Sequence, residues 1–267
     1  MGREGRNGPD GASSAARSLA GRAAVVTGGS RGIGRAIALA FARAGADVVV
    51  SYCRSRAAAE EVVAEARALG RRADALPADL AREDDIARLV ASAFDRLGRV
   101  DVWVNNAGAD ILTGEAARWP ARDRLDLLLA VDLRGTVLCS WAVAERMRAQ
   151  PGGGTILTMA WDHALCGMAG LEAQLFAAAK AGIIGFSKSL ARSVAPEVRV
   201  NVLAPGWIAT AFAAQLDEAE RRRITDETPL RRWGTPDDVA QAALFLASPA
   251  AAFLTGVVLP VNGGAVT

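Results

Sequence analysis

The chain has 267 residues, 51% of them apolar, which suits one large α/β domain with a sizeable core. Its 31 basic and 29 acidic residues leave a net charge of +2, too small an excess to attract nucleic acid or an anionic membrane. Cys53, Cys139 and Cys166 lie far apart without metal-ligand spacing, so no metal is expected, and their sparseness suits a reducing cytoplasm.

In chain order, residues 1–18 are rich in Gly, Arg, Ser and Ala and lack the apolar core of a signal peptide. They read as a disordered arm, with the folded domain taken to start at about residue 21. Ala23 to Thr27 is a short apolar run, a buried strand. Ile33 to Ala44 has helical periodicity and stops at Gly45. Asp47 to Ser51 is a second strand, and Ala57 to Leu69 a helix closed by Gly70. A third strand lies near Ala73 to Leu76, followed by a helix over Glu83 to Leu97. Val100 to Val104, Thr155 to Met159, Arg199 to Leu203 and Val257 to Val261 complete a predicted set of seven strands. Helices over Arg122 to Met147, Ala173 to Val194 and Pro236 to Ala247 separate them. Strand and helix alternate throughout, which predicts a single-domain α/β Rossmann fold, a parallel sheet with helices on both faces. No apolar run reaches the ~18 residues of a membrane span. The long irregular stretch over about 205–235 is expected to be a mobile lid.

Thr27-Gly28-Gly29-Ser30-Arg31-Gly32-Ile33-Gly34 joins the first strand to the first helix. Gly28 permits a tight turn, Gly32 lets backbone approach a pyrophosphate, and Gly34 lets the helix pack close to the strand. Phosphates would then rest on free N–H groups at the helix N-terminus. The second strand ends Ser51-Tyr52-Cys53-Arg54-Ser55, without the carboxylate that would hold a ribose 2′-hydroxyl. Arg31 and Arg54, with Ser51 and Ser55, suit a 2′-phosphate instead. The expected cofactor is NADP(H).

The spacing Thr-Gly-x-x-x-Gly-x-Gly resembles the short-chain dehydrogenase/reductase family, and the likeness runs from Gly21 to Thr267. Asn105-Asn106-Ala107-Gly108 resembles that family's Asn-Asn-Ala-Gly motif. Asp79-Leu80 resembles its adenine-contacting pair, Pro205-Gly206 with Ile208 and Thr210 its nicotinamide segment, and Asn262-Gly263-Gly264 its C-terminal strand exit. The chain is most similar overall to 3-oxoacyl-carrier-protein reductases. The resemblance implies a small-molecule substrate and a homotetramer paired through the two longest helices.

The catalytic residues depart from the family pattern. The resemblance implies a Tyr-x-x-x-Lys pair, with Tyr donating a proton and Lys holding the ribose. Here Lys180 is kept, but Phe176 stands in the tyrosine position and Asp132 in the position of a supporting Asn. The family's Ser falls on Trp161 counting forward from the fifth strand, and on His163 counting back from Phe176. Tyr52, the only tyrosine, lies at the adenosine end. His163, the only histidine, is a candidate general acid or polar substrate contact. Asp162 is a candidate acid or partner for a substrate cation, and Asp132 is expected to pair with Lys180. Trp161 and Phe176 offer ring faces to a cyclic or cationic substrate. The reading is an NADPH-dependent reductase of a small hydrophobic or cyclic ketone, enone or imine. A non-redox enzyme on the same fold, or an inactive binding subunit, remains an alternative.

Overall fold

A computed structural model describes residues 18–266. Seven parallel strands form one sheet in the order β3-β2-β1-β4-β5-β6-β7. They are β1 (Ala23–Val26), β2 (Asp47–Tyr52), β3 (Ala73–Pro77), β4 (Val102–Asn105), β5 (Gly154–Met159), β6 (Val198–Pro205) and β7 (Val258–Val261). The order reverses between β1 and β4, and the crevice this opens at the carboxyl ends of the strands is where α/β sheets bind ligands.

Alternation along β1 explains the layering. Ala24 and Val26 point to one face, where they meet helices α1 (Gly32–Arg43), α2 (Arg56–Ala68) and, near the other edge, α8 (Pro236–Ala247). Ala23 and Val25 point to the other, where α3 (Glu83–Leu97), α5 (Gly135–Ala149) and α6 (Leu171–Val194) pack. Both faces are covered, so the strands read as unbroken apolar runs.

Four expectations are corrected. Leu19 is buried in the core and its N–H donates to Ala44 O at 3.0 Å, so the packed chain starts ahead of residue 21; residues 1–17 of the expected arm lie outside the described residues. The fourth strand starts at Val102, because the Asp101 carboxylate accepts from Ala23 N and from Arg22 and Arg99 and closes the strand's entrance. The stretch after β6 is not irregular throughout. It holds α7 (Glu218–Glu227), whose first turn is capped by the Asp217 carboxylate on Glu220 N at 2.8 Å.

The fourth correction concerns the long helix. α4 (Ala121–Leu128) runs through a π-helical turn, Leu129–Arg134, into α5. By length and composition alone, Ala121–Ala149 could cross a membrane. Here Cys139, Val143 and Met147 of that segment are wholly buried against the sheet side. The wider π turn carries Asp132 and turns it inward, to 1% exposure.

Candidate functional site

A cleft of about 930 Å³ runs over the carboxyl ends of β1, β2 and β4. Its floor is the turn after β1. A Cβ on Gly28 would lie 2.8 Å from Ala107 Cα, and one on Gly34 would lie 2.4 Å from Asn106 Nδ2, so neither position accepts a side chain. Thr27 Oγ1 accepts from the backbone N–H of Asn106 and Ala107, both at 3.0 Å. Asn106 Nδ2 donates to Thr27 O at 2.9 Å and to Gly28 O at 3.2 Å. The Asn-Ala-Gly segment thus pins the turn from the β4 side. No side chain caps the N-terminus of α1, which leaves its first N–H groups available to an anion.

Ser30, Arg31, Ile33, Gly34, Tyr52, Arg54, Ser55, Asp79, Leu80, Asn106, Ala107 and Gly108 line this cleft, as expected. Arg31 and Arg54 are exposed and make no ion pair among the described residues. No carboxylate stands at the end of β2. Gly32, Pro205, Gly206 and Ile208 do not line it. Gly32 sits beneath the lid, with Thr210 Cγ2 3.9 Å from where its Cβ would be. Ile208 is buried in the core and bridges to Gly234. Within the 205–235 segment, the cleft is lined by Thr210.

At the far end Lys180 and Asp132 face each other. Lys180 Nζ lies 2.8 Å from Asp132 Oδ2 and donates to Met159 O at 3.2 Å. Asp132 Oδ1 accepts from Ala109 N at 2.7 Å. Both groups line the cleft, so the ion pair is almost enclosed by protein but open on the ligand side. Phe176 lines the cleft one helical turn before Lys180, with Leu127, Val131 and Ala109 nearby. Asp110, Thr113 and Glu115, which follow Ala109, also line the cleft. Tyr52 stays at the opposite end, beside Arg54 and Ser55.

Behind Phe176 stands an aromatic wall. Trp161 meets Phe176 edge-on, with centroids 6.3 Å apart, and His163 stacks on Trp161 at 5.0 Å. Trp207 touches His163 edge-on at 6.2 Å and tilts against Trp233 at 5.8 Å; Phe212 stacks on Trp207 at 6.3 Å. Trp161 and His163 therefore share one wall, and the two-residue ambiguity between them reflects a turn of 3-10 helix, Asp162–Ala164, inserted after β5.

Asp162 is placed differently from the expectation. It is wholly buried, and its oxygens are taken by protein donors. Oδ1 accepts from His163 N at 2.8 Å and meets His163 Nδ1 at 2.8 Å. Oδ2 accepts from Asn262 Nδ2 at 3.1 Å. A carboxylate held this way orients a histidine; it is not presented to a substrate cation. His163 Nε2 has no partner among the described residues. Asn262 was missed as a site residue, though its Asn-Gly-Gly motif stands out in the sequence. Gln174 is exposed and does not line the cleft. Glu172 pairs with Arg124 at 3.0 Å, and its carboxyl is held below its ordinary value by a backbone N–H and then by that arginine, the behaviour of a helix-end group.

Residues 28–266 match a family model described as enoyl-(acyl carrier protein) reductase. A 3-oxoacyl-(acyl-carrier-protein) reductase of Synechocystis sp. is 40% identical, the match covering 93% of this chain and 98% of that protein. An uncharacterised oxidoreductase of Mycobacterium tuberculosis is 39% identical, with 91% of each chain covered. Among solved structures, a 7α-hydroxysteroid dehydrogenase complexed with NADH and 7-oxo glycochenodeoxycholic acid has a TM-score of 0.85 at 36% identity, covering 95% of this chain and 97% of that one. A short-chain dehydrogenase from Burkholderia cenocepacia in complex with NADP has a TM-score of 0.83 at 35% identity, covering 93% and 99%.

Proposed function

The chain belongs to the short-chain dehydrogenase/reductase family of oxidoreductases, and from that premise we propose that it is an NADPH-dependent reductase of a small apolar, ring-containing ketone or enone, with His163 in place of tyrosine as proton donor. The observation that carries this reading is the Asp162–His163 pair: a wholly buried carboxylate on Nδ1, with Nε2 left unpartnered beside the aromatic wall.

The residues present fit NADP(H). Two glycines too tightly packed for any side chain form the turn, and α1 begins uncapped above it. Arg31 and Arg54, which make no ion pair among the described residues, and Ser55 line the same end of the cleft and would bind the 2′-phosphate. When bound, the cofactor supplies a hydride. Lys180 would hold the nicotinamide ribose, with Asp132 fixing the Lys180 ammonium through their ion pair. The apolar lining from Phe176, Leu127 and Val131 receives the substrate and excludes water.

Reduction of a carbonyl develops negative charge on its oxygen, which needs a proton. Phe176 has none to give. A protonated His163 donates from Nε2 and ends as the neutral imidazole with its remaining proton on Nδ1, facing Asp162. Asp162 selects that tautomer, as the carboxylate does in a hydrolase triad. A cationic iminium substrate is less favoured, because the carboxylate that would have stabilised it is turned into the protein.

The test is a panel of cyclic ketones, enones and cyclic imines with NADPH carrying deuterium at the transferred position. Deuterium should appear in a ketone or enone product. His163→Ala should lower kcat by ~100-fold or more, with NADPH affinity unchanged. An active His163→Ala enzyme, or turnover without deuterium transfer, would sink the assignment.

A further inference from the structure

We infer that Asn262, at the exit of the last strand, is a positioning residue that holds the Asp162–His163 pair in register for proton transfer; this rests on the reading of His163 given above. Three segments distant in sequence meet at Asp162. The carboxylate follows β5, Gly206 follows β6 and Asn262 follows β7. A Cβ on Gly206 would lie 2.8 Å from Asp162 Oδ2 and 2.7 Å from Asn262 Cβ, so the closeness of the three depends on glycine at 206.

The orientation of the Asn262 amide is set by its other partners. Its Oδ1 accepts from Gly264 N at 3.0 Å, and its Nδ2 donates to Val266 O at 2.8 Å as well as to Asp162 Oδ2 at 3.1 Å. The nitrogen side therefore faces Asp162. A buried carboxylate needs donors on both oxygens, because an unmet one loses its water without replacement. The backbone N–H of His163 and its ring serve Oδ1, and Asn262 serves Oδ2. Without the amide, Asp162 would rotate towards other donors, and Nδ1 would lose its fixed acceptor. The imidazole would then sample both tautomers, and Nε2 would no longer be reserved for the substrate. Groups that orient a reacting residue from behind are commonly worth 10–100-fold in activity.

On its own turn His163 has Asp162; from the lid it meets Trp207, and on its other face Trp161, neither of which titrates.

Because His163 is the only histidine, its ring nitrogens can be read in the whole protein by nitrogen-15 NMR without assignment. The parent should show the neutral ring protonated on Nδ1. Asn262→Leu should give a mixture of tautomers and a kcat reduced by 10–100-fold, with the Kd for NADPH unchanged. Asn262→Ala should act in the same direction, because it also removes the amide donor to Asp162 Oδ2; it serves if the leucine variant does not fold. A merely structural Asn262 would lower the melting temperature and leave the tautomer alone, and that result overturns the inference. A parent ring protonated on Nε2 overturns it too. If His163→Ala stays active, the function reading fails and proton transfer through the pair fails with it. If His163→Ala is inactive and the Asn262 variants keep the parent tautomer and rate, the function reading stands and this inference alone falls.

Discussion

Lys180 and Asp132 hold each other at the inner end of the cleft, and each would be a costly orphan without the other. Breaking a nearly buried pair by removing one partner typically costs 3–5 kcal/mol. Lys180→Met should therefore lower unfolding free energy by about 3 kcal/mol in a urea titration and also abolish NADPH binding. Adding Asp132→Asn should recover part of the stability, since the stranded charge is gone, without restoring NADPH binding. A stable Lys180→Met enzyme that still binds NADPH would contradict both roles. Arg54 makes no ion pair among the described residues, which leaves it to a ligand phosphate. Hydrogen bonds to charged groups contribute about 1.5–3 kcal/mol, so Arg54→Asp should cut the preference for NADPH over NADH by ~10-fold or more, read from the two dissociation constants. Phe176→Tyr would add a hydroxyl against the edge of Trp161. If His163 is the proton donor, this change should leave native turnover equal or lower; a large gain in ketone reduction would instead mark a decayed ketoreductase. Burial pushes the Cys139 thiol up to about 12, so it is inert in the folded protein. A thiol reagent at pH 8 should label Cys53 and Cys166, both exposed, and reach Cys139 only after unfolding.

At the scale of elements, the helix that supports the phosphate turn depends on α8, the helix after the lid. α8 packs along α1, and its first turn is closed by a reciprocal cap: Thr235 Oγ1 accepts from Asp238 N, and the Asp238 carboxylate accepts from Thr235 N at 2.7 Å. Arg232 binds the same carboxylate at 2.7 Å, and this pairing is the main reason Asp238 is held well below the usual carboxylate range. A carboxyl lowered in the folded state contributes stability above its unfolded value and loses it as pH falls through the folded value. Asp238→Asn should thus cost about 1 kcal/mol at neutral pH, and the difference from the parent should shrink in strong acid. A constant difference from pH 7 to pH 2 would show that the cap acts by shape and not by charge. The lid is fastened at its rear by Trp233, whose indole N–H donates to Arg221 O of α7 at 3.2 Å. Trp207 and Phe212 at its front continue the aromatic wall. Movement of this segment would therefore carry part of the aromatic wall with it.

For the whole molecule, large apolar side chains face outward on α5 (Trp141), on α8 (Phe245) and ahead of β7 (Phe253). Trp141 is 57% exposed and meets Phe186 edge-on, and Phe253 is fully exposed. Such faces mark contact surfaces. Together with the small residues of α6 (Ala177, Ala178, Ala181, Gly182, Gly185), they support assembly as a homotetramer, paired through the long helices. Light scattering at micromolar concentration should give about four times the 27.7 kDa chain mass. A strict monomer would refute this, and Trp141→Glu should shift the parent towards smaller species.

The layered sheet, the tight glycine turn after β1 and the identity of Phe176 could be read from the residues alone. These depend on residue type and local spacing: apolar runs alternate with helical periods, glycine alone fits the turn at Gly28 and Gly34, and phenylalanine has no hydroxyl in any fold. The lack of a carboxylate after β2 was legible for the same reason. Neither Trp161 nor His163 lines the cleft, and their shared place in the wall behind Phe176 was not legible, because the 3-10 turn after β5 has no periodicity to fix side-chain direction. The helix inside the lid was missed because α7 is mostly charged, with Ile224 as its buried residue. The π turn that aims Asp132 at Lys180 was hidden inside a helical pattern that it does not interrupt. The burial and partners of Asp162 emerge only from tertiary packing. Its partner Asn262 lies 100 residues further along the chain, and the two meet because β5 and β7 flank β6 and end beside it. Burial there turned a candidate substrate contact into the support for a histidine, since a carboxylate removed from water must spend its oxygens on the protein's own donors.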